Sequence, residues 1–171
     1  MRATVAIMQS MVVVLMGVAG AGKTTVGQAL AQALGWRFVD ADDLHPPANR
    51  AKMVRGEPLD DADRAPWLLR LADDIRGWLH DGRDVVLAAS ALKARYREQL
   101  AVDPAQVRFV YLTGSPALLA ERLQRRTGHF LPPSLLASQL ADLEPPEDAL
   151  TVDVTPPPEA LVATIRRGLG R

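Results

Sequence analysis

The chain has 171 residues, with 20 basic and 20 acidic side chains that cancel to a formal charge of zero, 48% hydrophobic residues and no cysteine. That length suits one compact domain with a real core. The charge balance removes the footprint of a protein that works on nucleic acid or anionic lipid, and the lack of cysteine excludes disulfides and thiolate zinc sites. Small-molecule partners and a reducing cytoplasm are the expectation.

Arg2 and the apolar residues up to Leu15, followed by the small residues from Ala19 to Gly22, imitate a secretory signal. Gln9 and Ser10 break the run, and the small residues lead straight into Gly22-Lys23-Thr24, which a mature protein would keep. No later stretch reaches the roughly 18 apolar residues needed to span a bilayer. Residues 1–10 read as a loose extension, with Met8 and Met11 as further candidate starts, and residues 11–171 as a single domain.

Along the chain, buried-strand patterns alternate with amphipathic stretches. A strand is predicted over 11–16, then a helix over 23–34 that Gly35 closes, then a strand over 37–40. A helix over 63–80 follows, opened by Asp60, Asp61 and Asp63, then a strand over 84–89, a helix over 93–100 and a strand over 107–112. Ser115-Pro116 supplies a cap and a first-turn proline for a helix over 116–126. A helix over 133–143, a strand over 150–154 and a helix over 158–168 complete the chain. The proline pairs 46–47, 132–133 and 145–146 and the triplet 156–158 read as connections. The class is α/β, a doubly wound parallel sheet of five strands flanked by helices.

Gly17-Val18-Ala19-Gly20-Ala21-Gly22-Lys23-Thr24 fits G-x-x-x-x-G-K-[ST], directly after a strand and directly before a helix. Such a P-loop turns tightly, so that its backbone N–H groups and the helix N-terminus hold nucleotide phosphates. Lys23 adds a mobile positive charge, the Thr24 hydroxyl is placed to ligate Mg²⁺, and Thr25 meets the α-phosphate side. No guanine-reading Asn-Lys-x-Asp or Thr-Lys-x-Asp motif follows, which favours ATP.

The second strand ends in Asp40-Ala41-Asp42-Asp43, at the carboxyl edge of the sheet where open α/β folds bind ligands. Alternation along an extended segment predicts that Asp40 and Asp42 share a side, one orienting Mg²⁺ through water and the other accepting the proton of an attacking hydroxyl. Asp42 is the expected base and Asp40 its orienter. Asp43, pointing the other way, is the expected turn cap.

Downstream, Asp43-Leu44-His45-Pro46, Asn49, Lys52-Met53, Gly56-Glu57-Pro58-Leu59, Asp61 and Asp63-Arg64-Ala65-Pro66-Trp67-Leu68 resemble the gluconokinase family. Ser90-Ala91-Leu92-Lys93, Tyr96-Arg97, Gly128-His129-Phe130, Ser138-Gln139 and Leu143-Glu144-Pro145-Pro146 continue the resemblance in the family's order. It implies a reaction of ATP with D-gluconate that gives ADP and 6-phospho-D-gluconate, in a family that often forms homodimers. It also implies that residues near Pro145-Pro146 border the adenine. Two departures, Val-Ala-Gly-Ala in the loop where relatives often carry serines and Ala89 where many have cysteine, remove neither a charge nor a metal ligand.

A sugar acid presents a carboxylate and several hydroxyls, so its pocket needs cations together with amide or imidazole partners. Arg64, Lys93 and Arg97 are the cationic candidates, the last two four apart and so on one helical face. His45, Asn49, Lys52 and, from its place in the family's blocks, His129 complete the expected acceptor set, and Trp67 and Trp78 are assigned to packing. A mobile lid is expected over about 122–136, with Arg126 on phosphate, Arg122 near the adenine and Arg125 paired with Glu121. The readings weighed against a gluconate kinase are another small-molecule kinase, such as one for shikimate, and an ATP-binding module that transfers nothing.

Overall fold

The computed structural model describes residues 9–126 and 133–171. Its centre is a five-stranded, wholly parallel sheet: β1 (Val12–Met16), β2 (Arg37–Asp40), β3 (Val85–Ala88), β4 (Val107–Thr113) and β5 (Leu150–Asp153), in the order β2-β3-β1-β4-β5. β1 pairs Val12 with Val85 on one side and with Val107 on the other, so the first strand is the middle of the sheet.

β1 is fully buried because both faces of the sheet are covered. Val13 and Leu15 face one layer, where α1 (Lys23–Leu34) and the later α7 (Pro158–Leu169) bring Val26, Leu30 and Ile165. Val12, Val14 and Met16 face the other, where α3 (Asp61–His80) and α4 (Ala94–Leu100) bring Trp67, Leu71, Ile75, Trp78 and Tyr96. Alternate residues of one strand thus feed two cores, as the two-residue period of a strand requires. Each fully buried Val or Leu contributes about 1.5–3 kcal/mol relative to exposure.

The remaining helices are α2 (Pro47–Val54), α5 (Pro116–Gln124) and α6 (Pro133–Asp142). α2 falls where Pro46-Pro47 read as a mere connection. Pro47 is instead the first helical residue, where the missing N–H costs nothing. α3 starts two residues earlier than expected because Asp60 and Asp63 close a reciprocal capping box. Ser115 caps α5 through a bond from Leu118 N–H at 3.2 Å. Ser10, placed by the sequence in the extension, is tied to the domain: its hydroxyl donates to Leu79 O and its carbonyl accepts from Gln106 Nε2.

The geometry after Asp40 differs from the expected extended segment. The chain enters a short 3₁₀ turn over Ala41–Leu44, and Asp40, not Asp43, caps it by accepting from Asp42 N–H at 3.0 Å. A carboxylate that bonds a backbone N–H two residues on is the usual way a strand end turns.

Candidate active site

The carboxyl ends of β1, β2 and β3 open into one cleft, lined among others by Lys23, Thr24, Asp40, Asp42, His45 and Arg64. An adjoining cavity of about 320 Å³ is lined by Gly20, Gly22, Thr25, Arg122 and the prolines 156 and 158. Arg126 borders both.

Between β1 and α1 the loop 17–22 is held in shape by close contacts. Gly17 has φ +149°, and a Cβ there would lie 2.6 Å from Leu112 O. Gly20 has φ +84°, and its Cβ would lie 2.7 Å from Leu119 O, so only glycine lets the loop press against α5. Val18, Ala19 and Ala21, the loop residues with side chains, are buried and leave the cradle to backbone groups.

Lys23 folds back over this loop, its Nζ donating to Gly17 O at 2.9 Å and to Val18 O at 3.0 Å. Burial pushes its pKa down, with Asp42 and Asp40 opposing and Arg126 adding to the effect. The Thr24 hydroxyl donates to Asp40 Oδ2 at 3.1 Å. That bond uses the hydroxyl's proton and leaves its lone pairs for a hard cation. A hydroxyl backed by a carboxylate fits Mg²⁺, which takes few protein ligands and shares itself with substrate phosphates. Among the described residues no cluster of three or more His, Cys, Asp or Glu stands ready to hold a metal unaided.

Asp42 faces the same cleft from the 3₁₀ turn. Its pKa is raised, first by loss of solvation and then by the neighbouring Asp40 carboxylate, while Lys23 opposes. Asp42 Oδ1 lies 3.9 Å from Nε2 of His45. The imidazole of His45 is buried and stacks on Trp67, centroids 4.2 Å apart and planes 13° from parallel. Trp67 is held by an Nε1–H bond to Ala41 O at 2.8 Å, so one tryptophan serves both the core and the wall of the cleft. Burial, with the charges of Arg64 and Arg50, lowers His45 to a pKa of about 4. Arg64 reaches the cleft from the first turns of α3, bonds Tyr96 Oη at 3.2 Å and approaches Asp142 of α6 at 3.6 Å.

Four expected acceptor residues stand elsewhere. Asn49 donates to Asp63 O at 2.7 Å beneath His45, and Lys52 pairs with the Asp63 carboxylate at 2.8 Å, so both tie α2 to the start of α3. Lys93 bonds Asp61 at 3.3 Å and lies over the Tyr96 ring. It is the N-cap of α4, not a residue inside it, so the shared helical face with Arg97 does not form. Arg97 is buried, its guanidinium donating to Ala91 O, Leu92 O and Glu144 O at 2.8–2.9 Å. It clamps a turn in which Ala91 has φ +44°, a left-handed conformation that costs an alanine about 1 kcal/mol. This turn carries Ser90, whose carbonyl accepts from Gly17 N–H at 3.3 Å.

His129 lies outside the described residues, as does the stretch 127–132 of the expected lid. Arg122 donates to Val154 O at 2.6 Å beside the cavity that Thr25 borders, and Arg125 pairs with Glu121 at 2.5 Å. Pro145 and Pro146 line a separate cavity with Arg97, Arg108 and Phe109, and the prolines that share a cavity with Thr25 are 156 and 158.

Ser90, Ser138 and Gln139 also line the cleft, and none was singled out as a site residue from sequence. Their only sequence signal is that they fall in blocks of the resemblance, Ser90 just past a strand and the other two on a helix remote in sequence.

A phosphate loop that faces a carboxylate across one cleft is the working geometry of P-loop kinases, and fold and site together place the chain in that class. The profile of a family described as an AAA domain matches residues 12–146. A gluconokinase of Gluconobacter oxydans (strain 621H) is 56% identical over 135 residues, 79% of this chain and 76% of its own length. A crystal structure of a gluconokinase from Sinorhizobium meliloti 1021 matches with a TM-score of 0.86 at 44% identity, covering 95% of this chain and 93% of that one. The chain belongs to the gluconokinase family. A shikimate kinase from Aquifex aeolicus, at 19% identity and a TM-score of 0.58, shares the fold alone.

Proposed function

We propose that the protein transfers the γ-phosphate of ATP to a hydroxyl of D-gluconate, giving ADP and 6-phospho-D-gluconate. The observation that carries this reading is the meeting of Lys23, the Thr24–Asp40 pair, Asp42, His45 and Arg64 in one cleft, in a chain whose relatives include named gluconokinases.

The loop 17–22 and the N-terminus of α1 hold the phosphates, and Arg122 and Thr25 flank the nucleoside end. Thr24, with Asp40 behind it, would hold Mg²⁺, which would supply positive charge to the phosphates. Asp42 takes the proton of the attacking hydroxyl as the new O–P bond forms and the bond to the β-phosphate oxygen breaks. Its raised pKa makes it a better base than an ordinary aspartate. His45, neutral, offers an N–H to the same substrate. Arg64 supplies the guanidinium for the sugar acid's carboxylate. Arg126, at the junction of the two cavities, stabilises charge on the group in flight. A cytoplasmic setting goes with this chemistry, because ATP and a sugar acid are consumed there.

An ADP-release assay with Mg-ATP against gluconate, shikimate, glucose and nucleoside monophosphates tests the reading. Turnover that depends on gluconate supports it. Turnover on a different acceptor keeps the kinase and overturns the substrate, and ATP binding with no turnover on any acceptor leaves only a nucleotide-binding module.

A further inference from the structure

Both polar atoms of one peptide unit in the phosphate loop are held by side chains from distant parts of the chain. The carbonyl of Val18 accepts from Lys23 Nζ at 3.0 Å, and the N–H of Ala19, the other end of the same peptide, donates to Gln139 Oε1 at 2.7 Å. A trans peptide points these two groups in opposite directions. Lys23 and Gln139 therefore grip the 18–19 peptide from its two sides. A backbone N–H can bond only the oxygen of the carboxamide, so this contact also settles which way the Gln139 amide faces.

Gln139 is well founded for such a task. It lies on α6, whose Leu136 is buried in the core with Leu30 and Leu119 while Ser138 and Gln139 face the cleft. Ala19 and Gln139 stand 120 positions apart, so this is a tertiary contact that no local turn could supply. A peptide that can rotate exchanges the places of its C=O and N–H at small cost, because only two backbone dihedrals need change. Were the 18–19 peptide to turn over, Lys23 would lose one of its two loop acceptors, and a carbonyl dipole would change sides next to anionic phosphates.

We propose that Gln139 is a positioning residue: by accepting from Ala19 N–H, its carboxamide holds the 18–19 peptide in the orientation that keeps the Lys23 ammonium over the phosphate loop. The inference rests on the reading of this loop as the ATP site and adds a residue that acts on Lys23 through the backbone.

Gln139→Met keeps the length and removes the acceptor. Loss of one net hydrogen bond corresponds to roughly three- to tenfold. The expected result is a fall of about that size in affinity for a non-hydrolysable ATP analogue in Gln139→Met, measured by calorimetry. In a Lys23→Ala background, Gln139→Met should have no further effect, since the group it positions is gone. Equal binding by wild type and Gln139→Met overturns the proposal. So does a Gln139→Met loss that persists undiminished in the Lys23→Ala background. The binding measurements need no acceptor, so an error about gluconate and an error about Gln139 give different results.

Discussion

Asn49 fixes the proton on His45. Its Nδ2 lies 2.7 Å from the carbonyl of Asp63, which can only accept, and 3.2 Å from Nδ1 of His45. The amide nitrogen is thus the donor to both, Nδ1 must accept, and the neutral ring carries its hydrogen on Nε2, the atom on the Asp42 side. An expected sugar-binding residue becomes the one that orients another.

Replacing His45 by Phe keeps a flat ring against Trp67 and removes the Nε2 donor. The expected outcome is a loss of about 10–100-fold in kcat/KM for gluconate, the worth of a hydrogen bond to a buried site group, with ATP-analogue affinity unchanged. Steady-state kinetics with each substrate varied in turn checks this.

His45 also makes stability depend on pH in a set direction. Its folded pKa of about 4 lies below its ordinary 6.5, so between these values the unfolded chain binds the extra proton. Its contribution is complete above pH 6.5 and is lost progressively as pH falls toward 4. Urea melts at pH 7.5, 6 and 5 should show that fall in the wild type and a shallower one in His45→Phe.

Asp42→Asn removes the base and leaves the phosphate loop intact. Turnover should fall by about 10²–10⁴-fold with ADP affinity within a few-fold of wild type. An equal loss in ADP affinity would show that Asp42 serves binding and not proton removal. Because its pKa is raised, the acid limb of the wild-type kcat profile should lie above the ordinary aspartate range.

Asp40 does two jobs, accepting from Thr24 Oγ1 and capping the turn at Asp42 N–H. Asn keeps one acceptor oxygen, for the Asp42 N–H, presents an NH₂ to the Thr24 hydroxyl in place of the second oxygen, and carries no charge. Asp40→Asn should therefore melt close to wild type yet need more Mg²⁺ for half-maximal activity, while Asp40→Ala should also lose about 1 kcal/mol of stability. Thermal melts and a magnesium titration separate the two.

Arg97→Met should act on stability and little on gluconate. Three carbonyls lose their partner, at about 1 kcal/mol each, so the melting temperature should drop markedly while KM for gluconate in the folded fraction changes less than threefold. Lys93→Met should leave that KM equally unmoved. A tenfold rise in either variant would return these residues to the acceptor site.

Much of the fold was legible because parallel strands buried on both faces leave unbroken apolar runs, such as Val12 to Met16, and because a glycine or a capped proline marks most helix ends. α2 was not, since Pro46-Pro47 signals a turn and a helix start equally well. The phosphate loop was legible for a similar reason: its chemistry lies in consecutive backbone groups, so a short string specifies it. Gln139 was not, since its bond joins residues 120 apart.

What the sequence by itself determined is therefore what local order encodes: the α/β class, the phosphate loop with Lys23 and Thr24, and the carboxylates after the second strand. Tertiary structure alone decided which cations are spent. Arg64, Lys93 and Arg97 are alike as letters, yet the carbonyls of the 91–92 turn and of Glu144 consume Arg97, Asp61 engages Lys93, and Arg64 is the one among them that lines the cleft. A charged group goes to the partner that compensates its desolvation, and that partner is set by packing.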